Sequence, residues 1–235
     1  MTAIFRRELQ GYFHTAVGYV FVGVFLTMSG VLFALNNLIP RSGDIPTLIG
    51  QMSYLWMLLC PVLTMRLMPG TGDQGTEKLL LSSPVSLMGI LAGKYLAALL
   101  VLLQTVLLTL IFPGIVAIYG TVYPEELLVG YVGLTLEGSA FLAMDLFVAS
   151  LCRGPVLAYL AAFFVNFSAW LLDLWALSVN GRLAGILDFV SLYTRNEPFL
   201  MGQLSVASMF FDVSFAVFFL LLTLYRLDLK RRRGI

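Results

Sequence analysis

Six apolar stretches recur along the chain, each about the length that crosses the ~30 Å hydrocarbon core of a bilayer. They run over residues 17–39 ("VGYVFVGVFLTMSGVLFALNNLI"), 48–68, 87–119, 127–152, 155–179 and 206–225. Nothing else constrains the fold as strongly. In hydrocarbon every backbone N–H and C=O must be satisfied internally, so only helices and closed barrels span. Barrel strands are about 10 residues long with alternating faces. These runs are longer and continuous, which predicts an all-α polytopic membrane protein with six transmembrane helices. The chain is 60% hydrophobic and 11% charged, against roughly half and a quarter in soluble domains. Residues 1–235 read as one membrane domain.

The Lys and Arg residues are unevenly placed. Both termini share a side when the spans number six. That side takes Arg6, Arg7, Arg66, Lys78, Lys94, Arg153, Arg226, Lys230, Arg231, Arg232 and Arg233, and the other takes Arg41, Arg182 and Arg195. Basic residues accumulate on cytoplasmic loops, so both termini are expected in the cytoplasm and "LDLKRRRGI" is the basic stop after the last span. The net charge of +1 points to neither nucleic acid nor an acidic partner. Cys60 and Cys152 form no C-x-x-C pair and carry no message about redox compartment. The start of the chain has no small-x-small site of a cleaved signal.

Between the spans, "AIFRRELQGYFHTA" places Ile4, Phe5, Leu9, Tyr12 and Phe13 at helical spacing, an amphipathic helix for the cytoplasmic interface that Gly11 weakens. Residues 180–205 are too polar to span. Leu183, Ile186, Leu187 and Val190 share a helical face there, which predicts a short interfacial or partly re-entrant helix and then a turn near Asn196 and Pro198. The third run would be about 50 Å long if wholly helical. Pro113 is expected to kink it, and its start, with Lys94, to project toward the cytoplasm. The glycines at 18, 23, 30, 130, 133 and 138 read as packing positions.

The polar residues complete no catalytic or nucleotide-binding motif. Gly70-x-x-x-x-Gly75 begins like a phosphate loop, which needs G-x-x-x-x-G-K-[ST] between a strand and a helix. Thr76 and Glu77 follow instead, and a membrane span precedes. His14 is the single histidine, which excludes an H-E-x-x-H zinc site. Asp145, Asp173 and Asp212 have no flanking motif of an aspartyl dyad, and Asp173 and Asp212 fall near span ends. Asn166 opens an N-F-S triplet inside a span and is given no role. Glu137 and Asp145 sit eight residues apart on the fourth span, about 12 Å along it and about 80° around it. Carboxylates in a bilayer face a bundle interior or a cavity. They are candidate translocation-path acids, with a hydrogen-bonded structural role as the alternative.

Residues 69–86, "PGTGDQGTEKLLLSSPVS", lie between the second and third spans. Pro69, Gly70 and Gly72 stop one helix, Asp73 can cap another, and Pro84 ends it. The two turns in between are marginal alone in water, and the triplet Leu79, Leu80 and Leu81 needs a surface to lie on.

The stretch "PVLTMRLMPGTGDQGTEKLLLSSPVSLMGILAGKYLAALL" resembles the second and third spans of ABC-2 type transporter permeases, nearest to those of bacterial gliding motility and copper-enzyme maturation. The likeness rests on Pro61, Leu63, Thr64, Met65, Arg66, Gly75, Thr76, Leu79, Leu80, Leu81, Ser83, Pro84, Val85, Gly93, Lys94 and Tyr95. The opening "RRELQGYFHTAVGYVFVGVFL" resembles the family's K-E-L-x-x-(Y/F)-F-x-S-P-x-(G/A)-Y. The charged turn usual before the glycine is replaced by "PGTGDQ", and the acid after G-T-x comes one place early, as Glu77. The family assigns no role to Glu137 or Asp145. The resemblance implies a coupling helix made of Thr76, Glu77, Lys78, Leu79, Leu80, Leu81, Ser82, Ser83 and Pro84, docked on a separate ABC ATPase subunit. It implies two ATPase subunits that bind ATP and Mg, a second permease protomer, identical or paralogous, and export across a bacterial cytoplasmic membrane. No cofactor and no catalytic site are expected in this chain itself. A membrane scaffold without transport of its own is the alternative.

Overall fold

The computed structural model describes residues 2–67, 86–178 and 191–232. Among the described residues there is no strand. Helix α1 spans Thr2–His14, α2 Ala16–Phe33, α3 Ile45–Thr64, α4 Leu87–Leu108, α5 Ile111–Val116, α6 Pro124–Leu151, α7 Pro155–Ser178, α8 Leu192–Leu200 and α9 Val206–Arg232. Six segments are long and apolar enough to cross a membrane: α2 with the turn after it, α3, α4 with α5, α6, α7 and α9. The protein is therefore an all-α, multi-pass membrane protein in architecture. Six crossings would put the start of α2 and the end of α9 at one end of the bundle.

Helix ends follow local chemistry. Asp44 caps α3, its Oδ1 accepting from the Thr47 N–H at 3.2 Å and its Oδ2 from the Thr47 hydroxyl at 2.6 Å. That cap starts α3 three residues before the apolar run read from sequence. Ser86 caps α4 by accepting from the Gly89 N–H. Glu125 and Glu126 occupy the first turn of α6, and Lys230, Arg231 and Arg232 the last turn of α9, each sign matched to its end of the helix dipole. The basic stop of the sixth span is helical through Arg232.

Two spans are broken. After Phe33 the first span widens into a π-turn over Ala34–Leu38. The Asn37 amide donates to the carbonyls of Ser42 and Asp44, which ties the turn to the loop that leads into α3. The third span breaks at Thr109 and Leu110, one turn before Pro113. Pro113 has no N–H for the Thr109 carbonyl. That carbonyl accepts instead from the Tyr131 hydroxyl at 3.1 Å and the Phe112 N–H at 3.0 Å. The expected kink is present, and α6 satisfies the group it frees.

The core sits on α3 and α6, whose spanning windows are each 61% buried, against 17% for α7, 22% for α9 and 28% for α2. Helix α6 packs on α3, α4, α7, α8 and α9. Trp56 of α3 stacks on Phe25 with ring centroids 4.6 Å apart, and its indole N–H donates to the Leu134 carbonyl of α6 at 3.1 Å. Ring packing and a satisfied polar edge thus fix one face of α3 against α6.

Helix α8 differs from the sequence expectation. The turn read near Asn196 and Pro198 lies later, at Met201 and Gly202, and both residues are helical. Ser191 caps α8 by accepting from the Thr194 N–H. Gly202, at φ +70°, closes it: the Gly202 N–H bonds the Phe199 carbonyl and the Gln203 N–H the Pro198 carbonyl. The expected helix face at Leu183, Ile186, Leu187 and Val190 lies outside the described residues. Phe199 is 1% exposed and lies over Gly133, where a Cβ would come within 2.7 Å of it. Helix α8 is therefore seated in the bundle, which carries its side chains down toward the midpoint of α6.

Candidate functional site

The residues expected to couple the chain to an ATPase, Thr76 to Pro84, lie outside the described residues. Their two anchor points are described. Leu67 precedes the connection and Ser86 follows it, and around them three separate stretches of sequence converge.

The first is α1, which is amphipathic as its spacing implies and packs on α4 and α2. It continues through Gly11 despite the glycine's cost in a helix. Tyr12 is 1% exposed, and its hydroxyl donates to the Leu63 carbonyl at the end of α3 at 2.7 Å. Burial pushes the Tyr12 phenol well above its ordinary value; Glu8 adds to the rise and Arg66 opposes it. The second stretch is the end of α3. Arg66 donates to the Gly11 carbonyl and the Thr15 hydroxyl, and its guanidinium lies 5.7 Å from the centre of the Tyr12 ring.

The third stretch is the start of α4. Lys94, in the span start expected to project toward the cytoplasm, is buried beneath α1. Its ammonium donates to the Leu67 carbonyl at 2.6 Å and to Glu8 at 3.2 Å, with both side chains about nine-tenths buried. Gly93 lets α1 approach, since a Cβ there would meet Ile4 at 3.1 Å. The burial of Lys94 has a physical cause. An ammonium at the foot of a span is stabilised by whatever acceptors it meets, and α1 supplies a carboxylate that local periodicity cannot pair with it. Glu8 is the member of this cluster that sequence reasoning missed. Its signal was an acid on an otherwise basic amphipathic helix.

Glu137 and Asp145 are both completely buried on α6, and the structure gives them separate surroundings. Glu137 lines a cavity of about 260 Å³ between α3, α6 and α8. Asp145 accepts a hydrogen bond from the Asn166 amide of α7 at 3.3 Å, and the same nitrogen reaches the Met57 carbonyl of α3 at 3.3 Å. Asn166, assigned no role from sequence, is thus the polar pin between three spans. Asp212, in the second turn of α9, is also fully buried, and among the described residues neither of its carboxylate oxygens has a hydrogen-bond partner. Among the described residues no cluster of three His, Cys, Asp or Glu is placed to hold a metal ion.

Comparison with models of known protein families finds no match, and comparison with curated proteins finds none either.

Proposed function

We propose that this chain is the permease subunit of an ABC-2 type exporter. A separate ATPase subunit binds ATP and Mg, docks on residues 76–84, and drives substrate across the plasma membrane. Two permease protomers and two ATPase subunits make the working unit, with the termini and the coupling helix in the cytoplasm. One observation carries the reading. The stretches bearing the family resemblance are far apart in sequence, yet they meet at both feet of the 68–85 connection through Glu8, Tyr12, Arg66 and Lys94. A push on that connection would therefore reach α1, α3 and α4 together rather than dissipate in a loose loop. Buried charge pairs and packed helices resist continuous deformation, so displacement passes to the spans as rigid-body motion.

Leu80→Asp tests the reading. A charge in the leucine triplet should abolish co-purification of the ATPase subunit from native membranes while the chain still inserts. An unchanged pull-down would remove 76–84 as the docking element. ATP-dependent substrate movement in vesicles holding both subunits separates transport from a scaffold.

A further inference from the structure

We propose that the cavity between α3, α6 and α8 binds a small organic ammonium ion. Its lining is rich in acceptors. Glu137 and Glu197 contribute carboxylates, and among the described residues no Lys, Arg or His lines it. Asn196 is 4% exposed; its amide nitrogen is spent on the Leu192 carbonyl at 3.3 Å, and its Oδ1 has no hydrogen-bond partner among the described residues. A buried acceptor of this kind calls for a donor. The Gln51 carbonyl, also at the cavity, is already taken, accepting from the Asn36 amide at 2.8 Å. Tyr54 and Tyr193 stack with centroids 5.1 Å apart and add ring faces that attract a cation.

The occupant follows from these groups. Two carboxylates repel an anion. A protonated amine offers three N–H donors, matching Glu137, Glu197 and Asn196 Oδ1, and its alkyl part can lie on the tyrosine rings. A volume of about 260 Å³ is below the usual range of about 300–1,000 Å³ for drug-sized ligands, so the amine is small. The cavity lies at the end of the bundle away from the termini, where α8 joins α7 to α9. The ammonium group can belong to a soluble amine or to an ethanolamine lipid headgroup. As a substrate class the inference rests on the permease reading; as a binding site it does not.

The test is calorimetric titration of n-butylammonium chloride into the full-length protein in phosphatidylcholine nanodiscs. Saturable binding is expected. Glu197→Gln and Asn196→Leu should each weaken it about tenfold, the loss of one hydrogen bond to a charged group. Glu137→Gln should weaken it at least as much, with helix content by circular dichroism confirming a folded variant. Absence of saturable binding, unchanged affinity in both Glu197→Gln and Asn196→Leu, or equal binding of sodium butyrate would overturn the site. Loss of affinity for the soluble amine in phosphatidylethanolamine nanodiscs identifies the lipid headgroup as occupant, and unchanged affinity identifies the soluble amine. Amine binding without ATPase association would sink the permease reading alone; ATP-driven transport without amine binding would sink the site alone.

Discussion

At the scale of single residues, the informative groups are the charges that should not be inside. Lys94 and Glu8 are 86 positions apart and form a buried pair. Removing one partner of such a pair strands the other and typically costs about 3–5 kcal/mol, whereas replacing both with apolar groups is often neutral. Lys94→Met should therefore lower the thermal unfolding midpoint in detergent sharply. Glu8→Leu added to it should recover most of the loss. Recovery will stop short by about 1 kcal/mol, because the Leu67 carbonyl still lacks its donor. Equal midpoints for the single and double variants would show that the pair is not coupled. Asp145 and Asn166 obey the same logic 21 positions apart, which separates Asp145 in role from Glu137: one carboxylate is held by a neighbouring span and the other fronts a cavity.

At the scale of elements, α8 shows how a short helix is held inside a bundle. Phe199 packs on Gly133, where a Cβ would meet the Phe199 Cβ and Cγ at 2.7 Å. Those are the inner atoms of the side chain and cannot swing away, so Gly133→Ala must lift the helix or strain it. A cost of about 1–3 kcal/mol is expected. Phe199→Ala, itself destabilising, should cost less in the Gly133→Ala background than in the wild type. Additive losses in that double-mutant cycle would mean that α8 is not seated where Gly133 lies. The spans were legible in the sequence because the bilayer turns a fold into a composition: twenty apolar residues suffice. Their ends were less so. Asp44 and Ser86 start helices by side-chain capping, and α9 runs on through polar Asp228 and Arg232, whose ion pair at 2.8 Å is a helical i, i+4 contact that hydropathy does not register. The candidate site was half legible. Glu137 and Asp145 stood out as acids in apolar runs, but Asn166, Glu8 and Asn196 acquire meaning only from partners on other helices, and no local period encodes those.

At the scale of the whole molecule, basic residues are concentrated at one end of the bundle. Arg6, Arg7, Arg66, Lys94, Arg153 and the basic end of α9 lie at the terminal end. Asp44, Glu125, Glu126 and Glu197 lie at the opposite end, with Arg41 and Arg195 among them. Retention of Lys and Arg on the cytoplasmic side predicts that the termini face the cytoplasm and that the cavity between α3, α6 and α8 faces the other side. Single-cysteine labelling checks this. Cys60 is buried, so replacing the half-exposed Cys152 with serine leaves a quiet background. Glu125 and Arg231 are exposed at opposite ends of the bundle. In intact cells, Glu125→Cys should react with a membrane-impermeant maleimide. Arg231→Cys should react only after permeabilisation. The reverse pattern would invert the molecule and place residues 76–84 where no ATP-hydrolysing subunit could reach them. It would also turn the cavity toward the cytoplasm, so this one measurement bears on both the coupling helix and the side from which an amine would be bound or released.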